Sequence, residues 1–291
     1  MIKDSRPSQE PPSARLRIYL LPNLLTAGNL FCGFLALTKI VEADLGAPNF
    51  SVVIRTAIFF IILACVFDLL DGRVARLGGY ESPFGREFDS LADIISFGAA
   101  PAFLVHRVVL HDVFRVHPEL GWFIASVYLI CGALRLARFN CLAAQPDPSG
   151  GKEFLGFPIP AAAGLVASLT LFLLWWDDKG FARSAWRYGL PVIMVFVSIM
   201  MVSEVKYPSF KKLDWRARGT FPKIVVTILL VGFLLIAWRK VLPVLLPVLF
   251  TAYLVYGFIR PRLSRRLVHE IEDQSGDEDE DEDEAEPPAR T

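Results

Sequence analysis

Between Phe67 and Pro101 the chain reads FDLLDGRVARLGGYESPFGREFDSLADIISFGAAP, and the setting of its aspartates decides the fold and the chemistry together. The stretch closes one long apolar run and opens the next. At 100° per residue, Asp68, Asp71, Gly72, Ala75 and Arg76 share an arc of about 140° on one helix face. On the following helix Gly85, Asp89 and Asp93 recur at i, i+4 and i+8, an arc of about 80°. Two neighbouring helices can therefore aim four carboxylates into one pocket near a membrane boundary.

Working outward, the apolar runs on either side belong to a series. Of 291 residues 54% are hydrophobic, and mean hydropathy is +0.45. Runs of roughly 20 apolar residues, enough to cross a bilayer, fall at about 21–41, 52–76, 89–110, 121–141, 158–176, 188–205, 222–239 and 241–259. The sequence thus predicts an all-α polytopic membrane protein with about eight transmembrane helices. A closed β-barrel is excluded because such runs lack period-2 alternation. The spans exclude a soluble binding module, and no nucleic-acid partner is expected. Trp175, Trp176, Trp186 and Tyr188 lie near span ends and read as interfacial anchors.

Lys and Arg total 30, as do Asp and Glu, so the net charge of zero is uninformative, whereas its distribution is not. Placing both termini on one side puts about 21 basic residues there and about 9 opposite, which orients that side toward the cytoplasm. Residues 1–17 read as a flexible cytoplasmic leader, 18–260 as one transmembrane catalytic domain, and 261–291 as a basic, then acidic, disordered cytoplasmic tail. Cys32, Cys65, Cys131 and Cys141 form no CxxC pair and read as helix-packing residues. His106, His111 and His117, spaced by five and six residues, do not share a helix face as metal ligands would.

Four clustered carboxylates repel one another and resist leaving water. One Asp near the centre of a membrane helix costs about 2.5–3.5 kcal/mol, so four approach roughly 10 kcal/mol. Arg76 balances one charge. One or two divalent cations would balance the rest, and an all-oxygen donor set suits Mg²⁺ or Mn²⁺. Two metals bridged by carboxylates serve in-line displacement at phosphorus. Gly72, Ala75 and Gly85 then leave space beside the ligands for a substrate, and Arg76 can grip a diphosphate oxygen through paired donors.

The full pattern, Asp68-x-x-Asp71-Gly72-x-x-Ala75-Arg76, eight residues, then Gly85-x-x-x-Asp89-x-x-x-Asp93, resembles the signature of the CDP-alcohol phosphatidyltransferases at every fixed position. The resemblance implies a six-helix core, here followed by two C-terminal helices, around a cytoplasm-facing polar cavity, usually in a homodimer. It implies that Asp68, Asp71, Asp89 and Asp93 bind two divalent cations and that Asp93 is also the catalytic base. Asn23, Thr26 and Ser82 match positions that contact the CDP-lipid. Four further stretches resemble the phosphatidylserine synthase branch: Leu21–Thr26 with Asn29–Gly33, Phe88–Asp93 with Ser96–Gly98, Ala133–Asn140, and Gly156–Ala162. Ile94 follows the last aspartate, where phosphatidylglycerophosphate synthases usually carry lysine.

The expected reaction is transfer of the phosphatidyl group from CDP-diacylglycerol to L-serine in a bacterial inner membrane, with termini and active site cytoplasmic. Another acceptor (glycerol 3-phosphate, inositol phosphate or choline) or an ether-lipid CDP donor would fit the same signature. A cation transporter lining its path with the aspartates is the rival from another class. It is weakened because no second-half repeat is visible. Arg135 and Arg138 lie at the aspartate side of the fourth span, with Asn140 close behind; the three are expected to form the serine site, with Arg135, Arg138 or both binding the serine carboxylate. Positive-inside anchoring is the alternative for both arginines.

Overall fold

Backbone amides inside a bilayer find no water, so each apolar run closes its hydrogen bonds internally as a helix. A computed structural model describes residues 19–79, 82–144, 154–180, 186–207 and 241–257. It is all-α and polytopic, with α1 (Leu20–Glu42), α2 (Phe50–Gly78), α3 (Pro83–Val113), α4 (Pro118–Ala144), α5 (Ile159–Asp178), α6 (Trp186–Val202) and α7 (Leu242–Gly257). The first five are long and apolar enough to cross a membrane; α6 and α7 are shorter apolar helices. The predicted span at 222–239, the leader and the tail lie outside the described residues.

The α2–α3 hairpin sets the site. At about 1.5 Å per residue the 29-residue α2 is roughly 44 Å long, more than the ~30 Å hydrocarbon core. It stops at Gly79, whose φ of 64° is the left-handed cap that glycine adopts without strain. Ser82 then opens α3, its Oγ accepting from the Gly85 amide at 3.0 Å, with Pro83 at the first helical position. That cap and proline start α3 six residues before the predicted span.

α1 packs against both arms of the hairpin. The closest approach is at Gly33, where a Cβ would lie 2.2 Å from Ser96 Oγ and 2.7 Å from Ser96 Cα. α3 is not α-helical throughout, for Ile94–Ala99 and His106–Leu110 are π turns. Such turns leave carbonyls in need of donors. Tyr128 of α4, wholly buried, donates to Phe97 O at 3.1 Å.

α5 packs on α2 and α3, and α6 on α4 and α5. On the aspartate side, Phe154–Leu155 pairs antiparallel with Lys206–Tyr207, tying the segment before α5 to the one after α6. Gly156 follows with φ 79°, and a Cβ there would lie 2.3 Å from Met201 O. Phe250 of α7 fills a notch at Gly164 on α5. At the opposite end, Arg187 pairs with Asp112 at 3.0 Å and Asp177 at 2.5 Å, and Arg55 pairs with Asp178. There Arg107 also donates to Ala43 O at 2.6 Å, capping the end of α1.

The Gly33 contact makes a direct prediction. Gly33→Ala should destabilise the protein by about 1–3 kcal/mol through overpacking, despite alanine's better helix propensity. Gly189→Ala on α6, where nothing lies within 4 Å of the new methyl, should be neutral or stabilising by up to ~1 kcal/mol. Thermal unfolding of the detergent-purified variants checks this; equal melting temperatures would contradict the close approach of α1 and α3.

Candidate active site

The hairpin brings the two halves of the sequence motif face to face. Carboxylate oxygens of Asp68 and Asp71 on α2 and Asp89 on α3 all lie within 4.8 Å of one another. Asp71 is buried, while Asp68 and Asp89 are half-buried. Asp93, one turn along α3 and also buried, is outside this triplet but within electrostatic range of Asp68 and Asp89. Among the described residues, buried Asp89 Oδ1 has no hydrogen-bond partner. An orphaned carboxylate oxygen beside two more carboxylates is the donor chemistry that a hard divalent cation satisfies, so the residues fit the cation inferred from sequence.

α1 supplies the polar wall. Thr26 Oγ1 reaches Asp71 Oδ2 at 2.9 Å, and Asn29 Nδ2 donates to Asp93 Oδ1 at 3.1 Å. Asn23 faces Gly85, where a Cβ would sit 3.3 Å from its Oδ1, and its Nδ2 is buried without a partner among the described residues. Gly85 thus admits α1 to the start of α3. Arg76 is exposed, within electrostatic range of Asp68 and Asp71, and its guanidinium would lie 3.3 Å from a Cβ at Gly72. Ala75, one residue before Arg76, is half-buried. Ser82 is occupied at least in part by capping α3.

The α4 residues separate into different environments. Arg135 is buried, 7% exposed, and within electrostatic range of Asp93 and Asp68. Its Nε has no hydrogen-bond partner among the described residues. Arg138 instead donates to Val202 O at 2.7 Å and Ser203 O at 3.0 Å, gripping the carbonyl end of α6. Asn140 Nδ2 donates to Ser90 Oγ at 3.0 Å, next to Asp89, and its Oδ1 is buried without a partner among the described residues. The histidines lie elsewhere: His106 packs on Trp122, and His117 pairs with Glu119.

Asn29 is the site residue that sequence reasoning missed. A signal exists, because Asn23, Thr26 and Asn29 recur every three residues in an otherwise apolar span. Three polar side chains stepping around one sector of a membrane helix require a polar partner.

Known proteins resemble this chain over much of its length. Residues 19–205 match the family model described as CDP-alcohol phosphatidyltransferase. A CDP-diacylglycerol–serine O-phosphatidyltransferase of Helicobacter pylori is 36% identical over 84% of this chain and 91% of its own length. The enzyme of that name from Bacillus subtilis is 33% identical over 66% of this chain and 92% of its own. An archaetidylserine synthase of Methanothermobacter thermautotrophicus is 36% identical over 65% of this chain and 69% of its own.

The carboxylate geometry predicts direct Mn²⁺ or Mg²⁺ binding by the purified protein, measurable by isothermal titration calorimetry. Asp68→Asn or Asp89→Asn should weaken it by at least about tenfold. Wild-type Mn²⁺ affinity in both variants would remove the triplet from metal binding.

Proposed function

The chain belongs to the CDP-alcohol phosphatidyltransferase family, and we propose that it transfers the phosphatidyl group of CDP-diacylglycerol to L-serine, releasing phosphatidylserine and CMP. The observation that carries the choice of serine is buried Arg135 beside the aspartates, in a chain whose relatives are named as serine transferases. A zwitterionic acceptor needs a cation for its carboxylate, and a partly desolvated guanidinium is a strong, directional one.

In this reading Asp68, Asp71, Asp89 and Asp93 hold two divalent cations, Mn²⁺ or Mg²⁺, which when bound supply positive charge against the diphosphate. Arg76 grips a diphosphate oxygen, and Gly72, Ala75 and Gly85 keep the space beside it open. Asn23, Thr26 and Ser82 line the CDP-lipid side. Asp93 takes the proton of the serine hydroxyl. The serine oxygen then bonds to the phosphorus that carries diacylglycerol, the bond from that phosphorus to CMP breaks, and CMP leaves with the electron pair. Arg135 receives the serine carboxylate. Arg138 and Asn140 complete the serine site, and the contacts of Arg138 with α6 and of Asn140 with Ser90 support a role in fixing its walls.

The basic-residue bias supports a cytoplasmic active site and termini; a bacterial inner membrane is the proposed location, and a homodimer, the family's usual assembly, the proposed state. The archaetidylserine synthase relative gives one observation in favour of a second reading, in which the CDP-linked donor carries ether-linked chains.

An acceptor panel tests the proposal: purified protein, Mn²⁺ and CDP-diacylglycerol with serine, glycerol 3-phosphate, inositol phosphate or choline. Phosphatidylserine and CMP should form with serine alone; product only with glycerol 3-phosphate would sink the serine assignment and spare the family. Arg135→Lys keeps the charge but removes the fork. Serine KM should therefore rise by roughly tenfold for each 1.4 kcal/mol by which serine binding weakens, with little change in CDP-diacylglycerol KM. Unmoved serine kinetics would place the carboxylate elsewhere in the cavity.

A further inference from the structure

Asn29 stands apart from the residues given a role above. It is wholly buried, and its Nδ2 donates to Asp93 Oδ1 at 3.1 Å. An ionised carboxylate only accepts, so the amide nitrogen must face Asp93 and the amide carbonyl must turn away. That carbonyl, Asn29 Oδ1, is buried without a partner among the described residues. Packing alone does not account for this side chain, because an apolar residue of the same size would fill the space without leaving an acceptor unsatisfied.

The contact is also held from the other direction. Ser96 Oγ, on the π turn that begins directly after Asp93, donates to Asn29 O at 3.0 Å. Gly33, one turn beyond Asn29, allows the backbones to meet there. α1 therefore reaches α3 through Asn29 Nδ2, and α3 reaches back to the same residue through Ser96. The Ser96 bond holds the Asn29 backbone against α3, and the Asn29 amide in turn holds one oxygen of the Asp93 carboxylate.

We propose that Asn29 is a positioning residue for Asp93, holding its Oδ1 so that the other carboxylate oxygen is presented to the acceptor hydroxyl. The inference rests on the reading of Asp93 as the base that takes the serine proton. Asn29 acts through Asp93 and touches neither substrate nor product. Its removal should therefore slow turnover while leaving the binding of both substrates in place.

The test uses the full chain in nanodiscs with Mn²⁺, serine and CDP-diacylglycerol. Asn29→Leu, with the same branching and number of side-chain heavy atoms but no donor, should lower kcat by at least about tenfold, with both KM values within about threefold of the parent. CDP-diacylglycerol affinity by calorimetry should likewise be retained, a readout that a general structural defect would not spare. Asn29→Asp, which keeps the shape but replaces the donor with an acceptor, should give the same split if the leucine variant fails to fold. A kcat within about twofold of the parent in either variant, or a parallel fall in kcat and CDP-lipid affinity, overturns the proposal. Failure of both variants to fold would make Asn29 a packing residue and overturn it as well. Asp93→Asn separates the two readings: if it retains more than about a tenth of kcat, the base assignment fails and this inference with it. If it is inactive while Asn29→Leu turns over normally, only the positioning role falls.

Discussion

Mutual repulsion among carboxylates held within 4.8 Å, at the margin of a bilayer, is the constraint on which the rest of this structure depends. No single helix could present such a set without also showing charge to lipid. The hairpin of α2 and α3 divides the charges between two inward faces, and the Gly79 turn and Ser82 cap let the second helix start close to the end of the first. α1 then covers the faces with donors rather than hydrocarbon, through Thr26 to Asp71 and Asn29 to Asp93. Folding alone leaves this region incompletely satisfied. Asp89 Oδ1, Arg135 Nε, Asn23 Nδ2 and Asn140 Oδ1 are buried polar atoms without hydrogen-bond partners among the described residues. Acceptors beside the aspartates and a guanidinium donor nearby are complementary to cations and to an acidic substrate group, respectively.

Much of this is legible in the sequence because the physics involved is periodic. Apolar runs of membrane length mark the helices, and the spacing of Asp68, Asp71, Asp89 and Asp93 marks the cluster to within the triplet that the fold assembles. Boundaries are less legible. α3 begins six residues before its apolar run because capping by Ser82 and Pro83, rather than hydropathy, starts the helix. The π turns at Ile94–Ala99 and His106–Leu110 have no sequence period of their own and depend on donors from elsewhere, such as Tyr128. The short ladder between Phe154–Leu155 and Lys206–Tyr207 joins residues some fifty positions apart, which local pattern does not reveal.

Side chains follow the same division. Arg135 and Arg138 look equivalent in sequence, three residues apart on one helix. The fold distinguishes them, because the α6 carbonyl terminus lies within reach of Arg138, while Arg135 points into the region of Asp68 and Asp93. Asn29 escapes a local reading because it belongs to an apolar span, and its partner is 64 positions away. Polar residues in membrane helices are best read by asking which distant group would satisfy them.

The pairing of Arg187 with Asp112 and Asp177 and of Arg55 with Asp178 closes the end of the bundle opposite the aspartates. Between the two ends lie wholly buried Phe97, Leu104, Tyr128 and Leu165. Among the described residues, the aspartate cluster and these ion pairs are thus separated by apolar side chains. The far end therefore balances its carboxylates with arginines of the protein itself, whereas the aspartate end is left to draw its counter-charge largely from what binds there.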